Sequence, residues 1–169
     1  MKIPARSKLV KTAFDVALIV LVVWVVLLSF GVIRRGGRFT KGKPAPAVSV
    51  LSLENGQQLH LSDFAGKPLV LTFFSTNCPS CIRELPDLEK LKDEAGDAVE
   101  VLIVTLDPPK KVRAYMKQQN FSFHVAYDAE GVTHDAYNVD TIPYNVLITA
   151  DGQIQDDIIG GLKRSDFGG

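Results

Sequence analysis

Residues 68–91 read PLVLTFFSTNCPSCIRELPDLEKL, and the join inside this stretch decides the fold. Leu69 to Phe74 is an apolar run containing Val, Thr and two Phe, without alternation. Such a run is expected of a strand buried on both faces, as in a mostly parallel sheet. Ile82, Leu85, Leu88 and Leu91 then recur at steps of three, with Glu89, Lys90, Lys92 and Asp93 on the other side, so an amphipathic helix should follow. Ser75 to Cys81 joins the two elements and holds the only two cysteines of the chain.

Two cysteines separated by two residues at a strand-to-helix join have a definite chemistry. Cys78 is expected at the mouth of the helix, where unpaired backbone N–H groups and the positive dipole end favour thiolate over thiol. Pro79 suits the first helical turn, where it has no N–H to lose and its φ is already helical, so Asn77, Pro79 and Ser80 shape a pre-formed loop. Cys81 should lie one turn along, more shielded and within reach of a disulfide to Cys78. An attacking thiol and a resolving thiol are what thiol–disulfide exchange requires.

On these residues the chain resembles the thioredoxin superfamily, and most the membrane-anchored thiol:disulfide interchange proteins of the TlpA, ResA and cytochrome c biogenesis type. The likeness covers about Lys43 to Gly161, through GKPAPAVSVLSLENGQQLHLSDFAGKPLVLTFFSTNCPSC and then YDAEGVTHDAYNVDTIPYNVLITADGQI. It implies an α/β thioredoxin fold, a central mixed sheet flanked by helices, with an N-terminal β-hairpin. It implies catalysis by Cys78 and Cys81 with no cofactor beyond their own disulfide and no metal. Protein thiols and disulfides are the implied substrates, and a transmembrane electron-donor protein the implied partner. The reducing direction follows from membrane-anchored relatives, in cytochrome c maturation or in envelope redox and copper-stress homeostasis. A disulfide-donating oxidase is the alternative, and a copper-delivery protein of the same superfamily the alternative from another class.

The resemblance also assigns roles beyond the cysteines. Pro143 matches a cis-proline whose loop packs beside the pair, so Ile142 would offer backbone to a substrate strand. The residues alone predict trans, since only about 5–6% of X–Pro bonds in folded proteins are cis. Glu84 matches the acid of a Cys-x-x-Glu pattern, near the resolving cysteine and able to take its proton; by itself it reads equally as a solvated glutamate favoured by the helix dipole. Pro86 matches a proline that kinks the active-site helix. Three features depart from the pattern. Asn77 replaces a tryptophan, Thr72 stands where thioredoxins bury an acid, and Leu162 to Gly169 leave little room for a closing helix, with a cost expected in stability or edge protection. The dipeptide Pro79-Ser80 resembles the CPxC loops of cytochrome-maturation and copper-tolerance relatives.

Val16 to Ile33 is an uncharged apolar run long enough to cross a bilayer. Lysines and arginines flank it on both sides, Lys2 to Lys11 before and Arg34 to Lys43 after, so charge alone does not orient it. The resemblance places the tail inside and the domain outside. The expected layout is a cytoplasmic tail over 1–11, a transmembrane helix over 12–33, a linker over 34–47 and the thioredoxin-like domain over 48–169, in the periplasm and anchored by a single pass in the bacterial inner membrane. A cleaved signal peptide is the competing reading, because Ser29 and Gly31 are small residues at a suitable offset.

The 169 residues carry 19 basic and 19 acidic side chains, a balance that gives no reason to expect nucleic acid binding. Val48–Leu53 and Gln57–Leu61 should form a hairpin about Asn55-Gly56. Further strands are expected at Val99–Leu106, Phe123–Tyr127, Asn145–Ile148 and Ile154–Ile159, and helices at Lys110–Gln119 and Thr133–Asn138. A peroxiredoxin would want threonine at the position of Ser75 and a distant resolving cysteine. His60, His124 and His134 read as surface or loop residues, and no histidine is suggested as a base beside the thiols for a cysteine hydrolase.

Overall fold

The computed structural model of the chain describes residues 38–162 and Asp166. The expected tail 1–11, the transmembrane helix 12–33 and the first linker residues 34–37 lie outside the described residues, as do 163–165 and 167–169. Among the described residues no helix is long and apolar enough to cross a membrane.

Strands β1 (Ser49–Ser52) and β2 (Gln58–His60) form the expected antiparallel hairpin, with Val50 opposite Leu59. Gly56 takes φ +74° in its turn, a conformation that side chains resist. A single 3-10 turn, Leu61–Phe64, leads to β3 (Leu69–Phe73) and then to helix α1 (Pro79–Ala95). There follow β4 (Glu100–Thr105), α2 (Pro109–Gln119), β5 (His124–Tyr127), the short α3 (Val132–Ala136), β6 (Tyr144–Ile148) and β7 (Ile154–Ile159). One seven-stranded sheet results, in the order β2-β1-β5-β4-β3-β6-β7. Its centre is parallel, β3 with β4 and β4 with β5, while β6 and β7 run antiparallel to what they join. This is the mixed sheet of the thioredoxin fold.

The pleat sends alternate residues of each strand to opposite faces. From β3, Val70 joins Leu85 and Leu88 of α1 and Val112 and Met116 of α2, whereas Leu69, Leu71 and Phe73 join Tyr137 and Tyr144 on the other face. The step-of-three pattern in α1 is borne out by Leu85 and Leu88, which are fully buried, and Ile82 and Leu91 pack partly against them. Truncating either leucine to Ala would cost about 2–5 kcal/mol. The helix runs through Pro86, which gives up one backbone bond, and ends at Gly96 with φ +55°.

Arg38 to Ala47, expected as linker, lie along the far edge of the sheet. Gly42 N–H donates to the Ile154 carbonyl and Ile154 N–H to the Lys43 carbonyl, both at 2.8 Å, and Ala45 N–H reaches the Gly152 carbonyl at 2.9 Å. The backbone N–H groups of Arg38 and Phe39 donate to the Asp157 carboxylate, at 2.5 and 3.3 Å, and Asp157 also accepts the Tyr144 hydroxyl at 2.7 Å. The Arg38 guanidinium pairs with Asp140 and lies 5.0 Å over the Tyr144 ring. This strap therefore covers part of an edge strand and borders the loop that carries Ile142 and Pro143.

Candidate active site

β3 ends at the centre of the sheet, and the chain passes straight into α1 through the cysteine loop. Cys78 is the helix N-cap, in extended conformation, and its Sγ accepts the Cys81 N–H at 3.3 Å. Pro79 occupies the first turn, as its missing N–H allows. Cys78 and Cys81 are joined as a disulfide, Cα atoms 5.2 Å apart. Cys78 is half-buried, and Cys81 is only 1% exposed, packed among the α1 leucines. An incoming thiolate therefore meets Cys78 first. Ser80 is half-buried with its hydroxyl 3.1 Å from Cys78 Sγ, a donor placed to stabilise a thiolate there.

The Ile142–Pro143 bond is cis, and the Ile142 carbonyl approaches Cys78 Sγ to 3.8 Å. Sixty-four residues apart in sequence, these groups share one end of the sheet because β3 and β6 pair antiparallel, Phe73 opposite Tyr144. Pro143 is buried and Ile142 half-buried.

The loop before Cys78 is clamped from the β4–α2 connection. The Asp107 carboxylate accepts the Thr76 N–H at 2.6 Å, the Thr76 hydroxyl at 2.5 Å and the Ser75 hydroxyl at 3.0 Å. Asn77 is exposed; its N–H donates to Ser75 Oγ, and its side-chain oxygen accepts from Lys111 Nζ at 2.5 Å. Burial opposes the Asp107 charge, but the bonds from Thr76 and Ser75, with the Lys111 ammonium, hold its carboxyl below the ordinary range. The sequence reading did not single out Asp107 or Lys111. An acid at the C-terminal end of a buried parallel strand was the available signal.

Glu84 lies one turn beyond Cys81, and its reading as a solvated glutamate is overturned: it is 3% exposed. It faces the sheet, because Cys81, Glu84 and Leu85 share the inner stripe of α1. Its Oε1 accepts the Asn145 side-chain N–H at 2.7 Å and the Leu162 N–H at 2.8 Å, while Oε2 is buried without a partner among the described residues. Asn145 Oδ1 accepts the Thr72 hydroxyl at 2.7 Å. Burial pushes the Glu84 carboxyl above its ordinary range against these two hydrogen bonds, and nearby Asp87 adds to the rise.

Of the three histidines, one departs from the expectation of a surface or loop position. His60 is exposed in β2, and half-buried His124 in β5 lies between Glu54 and Glu100, at 3.5 and 3.6 Å. His134 is a correction. It is buried in α3 with Nδ1 2.7 Å from Asp128 and its ring edge-on to Phe73, because the turn after β5 folds it inward. Among the described residues no group of three or more His, Cys, Asp or Glu is placed to hold a metal ion.

A family model described as redoxin matches residues 40–168. The chain belongs to the redoxin family. Among its relatives, the thioredoxin-like protein YneN of Bacillus subtilis is 32% identical over 131 residues, which are 75% of this chain and 76% of that protein. The thiol-disulfide oxidoreductase ResA of Bacillus thuringiensis is 32% identical over 139 residues, 78% of this chain and 80% of that one. A solved thiol:disulfide interchange protein of the thioredoxin family from Chlorobium tepidum superposes with a TM-score of 0.66 at 26% identity, over 76% of this chain and 93% of its own. With the Cys78–Cys81 pair in place, this redoxin domain is that of a thiol-disulfide oxidoreductase.

Proposed function

We propose that the protein is tethered to the cell membrane by its N-terminal apolar segment, faces the extracytoplasmic space, and reduces disulfides in protein substrates. The observation that carries the chemistry is the asymmetry of the pair: half-buried Cys78 beside the Ile142 carbonyl, and buried Cys81 one helical turn from a buried carboxyl. The likeness to membrane-anchored relatives and the Val16–Ile33 run support the tether and the direction.

In this reading a substrate strand lies against the Ile142 backbone and presents its disulfide to Cys78. The Cys78 thiolate, favoured by the helix N-terminus and by Ser80, attacks one substrate sulfur. A Cys78–substrate bond forms, and the other substrate sulfur leaves as a thiolate. Cys81 then gives its proton to Glu84 and attacks Cys78 Sγ. The bond between Cys78 and the substrate breaks, the substrate sulfur that Cys78 had attacked departs as a thiolate, both substrate thiolates are protonated from solvent, and the pair is left as the disulfide. Two electrons have passed to the substrate, and a transmembrane dithiol donor restores the pair.

Replacing Cys81 by Ala removes the resolving step. Cells expressing C81A should accumulate mixed disulfides on Cys78, seen as thiol-sensitive bands absent from the C78A/C81A double variant. A C81A protein that traps nothing would overturn the exchange reading.

A further inference from the structure

Asn145 is the second residue of the otherwise apolar strand YNVLI and is fully buried. Its side-chain nitrogen donates to Glu84 Oε1 at 2.7 Å and to the Gly160 carbonyl at 3.1 Å, and its oxygen accepts the Thr72 hydroxyl at 2.7 Å. Turning the amide over would set its oxygen against two acceptors, so the Gly160 carbonyl and the carboxylate fix which way it points. Thr72 then satisfies the oxygen. An amide so fully bonded in a core holds its partner to one geometry.

That partner is the Glu84 carboxyl. Oε1 already receives two N–H donors, from Asn145 and Leu162, and Oε2 is buried with no partner among the described residues. A carboxyl in this setting binds a proton on the unoccupied oxygen, since a proton on Oε1 would meet two donors.

We propose that Asn145, itself fixed by Thr72, is a positioning residue for Glu84, holding the carboxyl so that the proton leaving Cys81 is received on Oε2. The proposal rests on the reading of Glu84 as proton acceptor in the resolving step. In that step the Cys81 S–H bond breaks and an Oε2–H bond forms. The Cys81 thiolate then forms the Cys78–Cys81 bond as the Cys78–substrate bond breaks, and the proton later leaves Glu84 for solvent.

The surroundings make Glu84 sensitive to these neighbours. Among the described residues β6 presents Asn145, β3 presents Thr72 behind it, and the segment after β7 presents the Leu162 amide, and these three groups are uncharged. On its own helix Asp87 acts on it unfavourably, and Cys81 is the titratable group one turn away.

The test follows the reaction of the reduced full-length chain, in detergent, with the aromatic disulfide dithiobis(nitrobenzoate) in stopped flow across pH. Attack by Cys78 releases one coloured thiolate, and attack by Cys81 releases the second. Loss of the Asn145 N–H removes a donor that stabilises the carboxylate, so in Asn145→Ser the midpoint of the second-phase pH profile should rise by about one unit. Thr72→Val keeps the shape of the side chain and should move it the same way by less. Neither should alter the first phase, which reports an intact fold. In a Glu84→Gln background neither substitution should move the midpoint. Absence of a shift with Glu84 present, or an equal shift in Glu84→Gln, would overturn the positioning role. If Glu84→Gln alone leaves the second-phase profile unaltered, the proton-acceptor reading itself falls, and the two failures are thereby told apart.

Discussion

At Cys78 and Cys81 the chemistry was legible because it is local: the spacing, Pro79 and the strand-to-helix join fix the N-cap and its shielded partner within a few residues. Glu84 was half legible. Helical spacing placed it near Cys81, but its burial depends on Asn145 and Leu162, which lie 61 and 78 residues away in sequence. The burial has a thermodynamic consequence. The folded state binds the Glu84 proton more tightly than the unfolded state, so the carboxyl's contribution is most favourable at low pH and is lost as pH rises from its ordinary value of 4.5 through the raised one. Glutamine does not titrate. Denaturant unfolding should therefore show Glu84→Gln gaining on the unaltered chain as pH increases from about 4 to 7; a difference independent of pH would contradict the raised carboxyl.

Among the elements of the described residues, strands and helices were read correctly in order and type, and their ends shifted by one or two residues where turns took up the slack. Pro109 opens α2 ahead of Lys110, as its fixed φ suits a first turn. The Asp107 clamp was not legible, since nothing in β4 alone says that its far end must hold the loop after β3; parallel pairing of the two strands brings them together. Asp107→Ala should free Ser75 and Thr76, cost about 1–2 kcal/mol at neutral pH, and slow attack by Cys78 on a small disulfide. Because the Asp107 carboxyl is held below its ordinary range, its stabilisation is present above that range and is lost as pH falls through the lowered value. The deficit of Asp107→Ala in thermal unfolding should accordingly shrink in acid.

For the whole molecule, the strap changes where the domain begins. A stretch with the glycine, proline and charge of a linker becomes, from Arg38 on, a cover for the β7 edge, because Asp157 and the Ile154 and Gly152 backbone offer it partners. Composition cannot reveal that. Asp157→Ala would leave the buried Tyr144 hydroxyl and two strap N–H groups without their acceptor, a loss of about 2–3 kcal/mol, with proteolysis appearing between Arg38 and Ala47. Unchanged stability and protease resistance would contradict the strap. The central claim, a reductase acting through Cys78 and Cys81, is tested most directly by the equilibrium potential of the pair, measured by mass-tagged alkylation in graded thiol buffers. A reductase should show a value near or below about −230 mV; a value near about −120 mV would mark an oxidant that donates its disulfide, and would contradict the reducing role.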